Sequence, residues 1–176
     1  MVKKLNTKDI VYIAVLAAIC MIGTFIKVPF GAGAMVHLGS GMIFLSGILF
    51  GGVYAGFAGA IGSAFFDLLV GFSPYTLWSF VIKGIAGYIV GVIALGAYRK
   101  NGIAFKKVGF LRAILACLAA SVWTAFGYFF AWWFVTGSKA VAISYLPASY
   151  MTSAAGFIVA ILLFPKLQTI LAKRLF

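Results

Sequence analysis

Residues 38–70, LGSGMIFLSGILFGGVYAGFAGAIGSAFFDLLV, decide the fold, and they carry no charge before Asp67. An apolar helix crosses the ~30 Å hydrocarbon core of a bilayer in about 20 residues, so the segment is too long for one ordinary span and short for two. Gly51-Gly52 at its middle predicts a break between two short spans, since paired glycines favour a tight turn over a continuing helix. The charges on either side settle the count. Lys3, Lys4 and Lys8 precede an apolar run at Ile10 to Ile26, and Arg99, Lys100, Lys106, Lys107 and Arg112 follow another at Leu77 to Tyr98. Basic clusters beside membrane spans mark the cytoplasmic side. Both clusters lie on one side only if an even number of spans separates them, so residues 38–70 must cross twice.

Two further apolar runs complete the pattern, giving expected spans at 10–26, 38–51, 53–70, 77–98, 111–135 and 146–164. The third basic group, Lys166, Lys173 and Arg174, then falls inside with the other two, and eleven of the fourteen basic residues are cytoplasmic. The expectation is an all-α integral membrane protein: one compact bundle of six transmembrane helices with N and C termini in the cytoplasm. Pro29, Pro74, Pro147 and Pro165 are read as boundary markers, because proline lacks the amide donor that continues a helix. Beyond Pro165, Leu167, Ile170, Leu171 and Leu175 recur at helical spacing among basic residues, which predicts a tail lying along the inner membrane surface. Lys3 and Lys4 ahead of an apolar run, with Ala32-Gly33-Ala34 beyond it, have the layout of a cleaved signal. The run is long enough to span and the triplet sits well past it, so an uncleaved first helix is expected.

Composition agrees with a bilayer as solvent. Of 176 residues, 65% are hydrophobic and 9% charged, and the mean hydropathy is +1.17. Glutamate is absent and aspartate occurs only at Asp9 and Asp67, so the net charge of +12 is almost unopposed. A nucleic-acid binder would gather that charge on a polar surface; here it sits in short clusters between apolar runs. Cys20 and Cys117 fall inside apolar stretches, where a thiol behaves as a small hydrophobe. Small residues at helical spacing, Gly52, Gly56, Ala60 and Ala64 above all, with Ala14 and Ala18, Gly87 and Gly91, and Ala116 and Ala120, predict close helix approach, within the bundle or against another membrane subunit.

Catalytic patterns are missing. No glycine-rich string ending in Lys and Ser or Thr is present to cradle phosphates, and one histidine with two separated cysteines offers no metal site. The residues that invite a functional reading lie in the outer half of the membrane. Asp67 and Lys83 stand at similar depth, and a charge in a span faces a partner or a cavity; they pair with each other or meet a ligand. His37 lies in the glycine-rich stretch Gly31 to Gly41, which has the flexibility of a flap. Tyr75, Trp78, Trp132, Trp133, Tyr145 and Tyr150 occupy the same level, as an interfacial belt or as the lining of a pocket. The candidate substrate-binding set is His37, Asp67, Tyr75, Trp78, Lys83, Trp133 and Tyr150, suited to a small, planar, modestly polar molecule.

Ala14 and Ala18 on the first helix, His37-Leu38-Gly39 before the second, the run Gly62-Ser63-Ala64-Phe65-Phe66-Asp67-Leu68-Leu69, and Ile82-Lys83-Gly84 on the fourth together resemble the S component of energy-coupling factor (ECF) transporters. These are the substrate-binding membrane subunits of bacterial vitamin importers. The resemblance implies capture of a vitamin outside the cell by this chain, in the bacterial plasma membrane. A transmembrane coupling protein and two ATPase subunits, which use the ATP, would drive import. It implies Ala14 and Ala18 as the coupling-protein docking surface, and neither enzyme activity nor a cofactor in this chain. S components share a fold while their pockets differ. With no Glu, and with Asn6 and Asn101 both cytoplasmic, pyridoxine or hydroxymethylpyrimidine is the expected cargo; riboflavin or another vitamin is the alternative in the same role. A self-sufficient transporter, which would show internal repeats or broken helices, and a scaffold without ligand are the competing classes.

Overall fold

The computed structural model describes residues 5–30, 34–96 and 107–174. Lys3, Lys4, Arg99, Lys100 and Lys106, on which part of the charge argument rests, lie outside the described residues, as do Ala32 and Gly33 of the cleavage-like triplet. Six helices are described: α1 (Thr7–Phe25), α2 (Gly39–Phe50), α3 (Gly52–Val70), α4 (Thr76–Ala94), α5 (Phe110–Thr136) and α6 (Lys139–Arg174). Asn6 and Asp9 start α1 with a reciprocal capping box, which satisfies two of the amides a helix leaves open at its N-terminus. All the helices except α2 are long and apolar enough to cross a membrane.

The stretch that decided the fold breaks at Gly51, whose φ of 94° is a left-handed value that L side chains rarely adopt. The resulting α2 has 12 residues, about 18 Å at 1.5 Å per residue, well short of the hydrocarbon core. It is buried on almost every side and packs on α1, α3, α4 and α6, so neighbouring helices rather than lipid surround it. A helix that is apolar all round belongs in such a place.

The glycine ridge is internal. A Cβ on Gly87 would lie 2.3 Å from Ala55 O, and one on Gly91 would lie 2.2 Å from Gly52 N. α3 and α4 therefore meet backbone to backbone, as small residues allow where lipid supplies no hydrophobic drive for association. Ala116 and Ala120 are likewise fully buried. Ala14 and Ala18 are exposed, on the face of α1 turned away from the bundle.

Two expectations are corrected. Pro147 and Pro165 do not end the sixth helix but lie inside α6, a continuous helix of 36 residues. Proline is tolerated within membrane helices because neighbouring helices and hydroxyl side chains re-satisfy the backbone groups it frees. The segment after Pro165 is consequently not a separate surface helix. It continues α6, with Leu167 packed on the core and buried Gln168 accepting from Val108 N at 2.8 Å. An addition to the helical plan is an antiparallel hairpin between α1 and α2, β1 (Lys27–Phe30) and β2 (Ala34–His37), with Lys27 opposite His37. Pro29 lies in this hairpin and Pro74 in a 3-10 turn, Ser73–Tyr75, before α4.

Candidate functional site

Four helices and the hairpin surround a pocket at the end of the bundle opposite the termini, the outer end by the charge argument. Its space is about 540 Å³ including the open mouth. Helical spacing supplies the walls. α4 contributes Ser79 and Lys83, four residues apart; α5 contributes Thr124, Tyr128 and Trp132, a stripe at the same interval; α6 contributes Ser149 and Thr152. Asp67 enters from the outer end of α3, where left-handed Gly71 closes the helix.

Lys83 is 3% exposed and Asp67 5%. They do not pair. Lys83 Nζ donates to Ser40 Oγ at 2.9 Å and stands 5.3 Å from the centroid of the Tyr128 ring, while Asp67 Oδ2 has no hydrogen-bond partner. Of the two readings the sequence left open, the structural ion pair is absent, and both groups face the pocket. Ser79 Oγ and Tyr128 OH are 2.9 Å apart. The rings of Tyr128 and Trp132 follow one another at 5.5 Å, and Trp132 meets Tyr145 of α6 edge-on. Trp123, one turn deeper, is fixed by its Nε1 donating to Ile82 O at 3.0 Å.

The hairpin forms the remaining wall. Thr152 Oγ1 donates to Met35 O at 3.1 Å, which ties β2 to α6. His37 Nδ1 accepts from Gly39 N at 3.2 Å, and burial, with the Lys83 and Lys27 charges, lowers the imidazole pKa to about 3. His37 is therefore a neutral acceptor and donor near neutral pH. Lys27 lies over the rings of Phe66 and Phe72, 4.8 and 5.9 Å from their centroids, a cation–π arrangement that pins the base of the hairpin.

Of the residues picked from sequence, the structure brings His37, Asp67, Tyr75 and Lys83 together in this pocket. Trp78, Trp133 and Tyr150 do not line it. Trp78 packs on Phe134, and Trp133 and Tyr150 are 41% and 58% exposed on the outer surface of the bundle, where belt residues lie. Tyr128, Ser79, Thr124, Ser149 and Thr152 were missed, and Trp132 was placed at the right depth without being chosen over Trp133. Among the described residues no group of three His, Cys, Asp or Glu side chains converges.

An apolar helical bundle with an outward pocket of buried charge and adjoining aromatic rings defines a membrane protein built to hold a small molecule. The chain belongs to the S components of ECF-type riboflavin transporters, since the sequence model of that family matches residues 4–169. In fold it is similar to ThiT from Listeria monocytogenes, with a TM-score of 0.71 and 19% identity over 94% of this chain and 99% of that one. FolT bound with folic acid gives 0.66 at 20% identity over 94% and 95% of the two chains. The S component of a bacterial ECF transporter gives 0.64 at 20% over 95% and 99%. An uncharacterized protein from Pyrococcus woesei is 36% identical over 80 residues, 45% of this chain and 53% of its own length. The match thus spans about half of that relative.

Proposed function

We propose that the protein is the substrate-capturing subunit of a vitamin importer in the bacterial plasma membrane. It takes a small water-soluble vitamin or precursor from outside the cell and delivers it inward when docked on a transmembrane coupling protein energised by two ATPases. The observation that carries this reading is the outward pocket in which Asp67 and Lys83 are buried without each other as partners. Charges held in a membrane core without pairing are costly, and a ligand that meets them offsets that cost. The exposed Ala14 and Ala18 support docking through α1. They are the small-residue pair left outside the bundle, whereas the ridges of α3, α4 and α5 are spent on internal packing.

The cargo favoured by the lining is a hydroxyl-bearing single ring such as pyridoxine or hydroxymethylpyrimidine. A floor of two rings, one carboxylate, one amine, a neutral imidazole and several hydroxyls suits such a molecule in size and polarity. Riboflavin is the second reading, favoured by the family description. The test is titration of intrinsic tryptophan fluorescence in detergent with a panel of B-vitamins and precursors, read through Trp132. Saturation at micromolar concentration or below by one compound is expected. A folded protein that saturates with none of them refutes the capture role.

A further inference from the structure

Hydroxyls on these helices usually turn back on their own backbone: Thr24 to Cys20 O, Ser46 to Met42 O, Ser121 to Cys117 O and Thr124 to Ala120 O, all at 2.7 to 2.8 Å. Ser149 does not. It is 5% exposed, its Oγ has no hydrogen-bond partner, and it lines the pocket from α6. Asp67 Oδ2 is in the same condition on α3. Thr76 Oγ1 and Ser153 Oγ also lack a partner but line no part of the pocket; at Asp67 and Ser149 the unpartnered atoms, uncommon in native proteins, belong to residues lining a space in which a ligand can supply one.

The two atoms stand on separate walls. α3 packs on α1, α2 and α4, whereas α6 packs on α2, α5 and β2. A chain of contacts bridges the walls: Ser79 Oγ of α4 to Tyr128 OH of α5, the Tyr128 ring to that of Trp132, and Trp132 to Tyr145 of α6, one turn before Ser149. Asp67 and Ser149 thus line the pocket from walls linked by aromatic rings.

We propose that the ligand is read at its two ends. An N–H or O–H donor bonds Asp67 Oδ2, a hydroxyl at the opposite end bonds Ser149 Oγ, and the ring between them lies along Tyr128 and Trp132. The inference rests on the ring-vitamin reading above and makes Ser149 a specificity-determining residue, one that selects a hydroxyl-bearing cargo over its methyl or unsubstituted analogue. A site built to bond a hydroxyl discriminates against the analogue lacking it because its own polar group is left unpaired.

The experiment uses matched probes, pyridoxine against 4-deoxypyridoxine and riboflavin against lumichrome, titrated into the full-length protein in detergent. In wild type, the hydroxylated member of the bound pair should be preferred by tenfold or more. Ser149→Ala should bring its affinity down to that of the analogue and erase the preference. Asp67→Asn, acting at the other end, should weaken both members by a similar factor. Equal wild-type affinities within the bound pair overturn the inference without any variant, and so does a preference that survives in Ser149→Ala; in both cases the capture role stands. Failure of either pair to saturate the folded wild type, with the rest of the vitamin panel equally silent, refutes both.

Discussion

Lys83→Met separates a ligand-binding lysine from a structural one. The substitution keeps an unbranched stem of similar volume and removes the ammonium, whose hydrogen-bond partner among the described residues is Ser40 Oγ at 2.9 Å. If the ammonium meets the cargo, its loss removes a hydrogen bond to a charged group, worth about 1.5 to 3 kcal/mol. At about 1.4 kcal/mol per decade, the dissociation constant rises by roughly 10- to 150-fold. Stability should move the other way or not at all. An ionised group within a span costs about 2.5 to 3.5 kcal/mol on insertion scales, and no carboxylate partner is orphaned by the change. The assay pairs fluorescence titration with thermal melting in the same detergent. Weakened binding with an unchanged or raised melting temperature supports the argument. A dissociation constant unchanged from wild type, together with a lowered melting temperature, would refute it and make Lys83 a structural residue.

Ala18→Trp places a bulky ring on the exposed face of α1 and is expected to abolish cellular uptake while leaving binding by the purified subunit intact; normal uptake at normal expression sinks the docking claim. Gly87→Ala puts a Cβ 2.3 Å from Ala55 O and should destabilise the bundle by about 1 to 3 kcal/mol or more, as overpacking does, seen as a lowered melting temperature. The His37 imidazole, with its folded-state pKa lowered from 6.5 to about 3 by burial and nearby cations, contributes stability that is complete above pH 6.5 and is lost as the pH falls toward 3, because the unfolded chain binds the proton first. His37→Gln should flatten that part of the stability profile, measured by melting between pH 4 and 7, and an unaltered slope would place the acid sensitivity elsewhere.

Depth was legible in the sequence, and azimuth was not. Charge parity and Gly51-Gly52 called for two helices within residues 38–70, which α2 and α3 are, and the small-residue ridges called for close helix approach, which α3 and α4 show, because both arguments depend only on position along the chain. Choosing Trp133 over Trp132 depended on rotation about α5, where one residue is a turn of 100°: Trp132 enters the pocket and Trp133 faces outward. The same offset separates Ser149 from Tyr150 on α6. A usable signal was present in the polar-capable stripe Thr124, Tyr128 and Trp132 at intervals of four, and in Ser149, Thr152 and Ser153 at intervals of three and four, each the phase of one helix face. Pro29 and Pro74 mark helix boundaries, whereas Pro147 and Pro165 do not: in a long apolar helix neighbouring groups re-satisfy the freed backbone, and the helix continues through the proline.

Placing the site among these helices has a mechanical consequence. One apolar cluster joins α1, α2 and α3, and a larger one joins α2, α4, α5 and α6, so α2 is the shared strut of the two. Ser40, at the outer end of α2, receives the Lys83 hydrogen bond, and a Cβ on Gly156 would lie 2.6 Å from the adjacent Gly41 N. Short, buried α2 therefore holds α4 and α6 at a fixed separation beneath the pocket. Above that level the walls are joined by the hairpin, through Thr152 to Met35 O, and by ring contacts on one side. A ligand spanning Asp67 and Ser149 would add a further cross-brace between the α3 and α6 walls of the pocket. Saturating amounts of the compound that quenches Trp132 should consequently raise the melting temperature of wild type by more than that of Ser149→Ala, since stabilisation by a ligand grows with the ratio of its concentration to its dissociation constant. Equal increments in the two proteins would mean that the ligand is held from the α3 and α4 side alone.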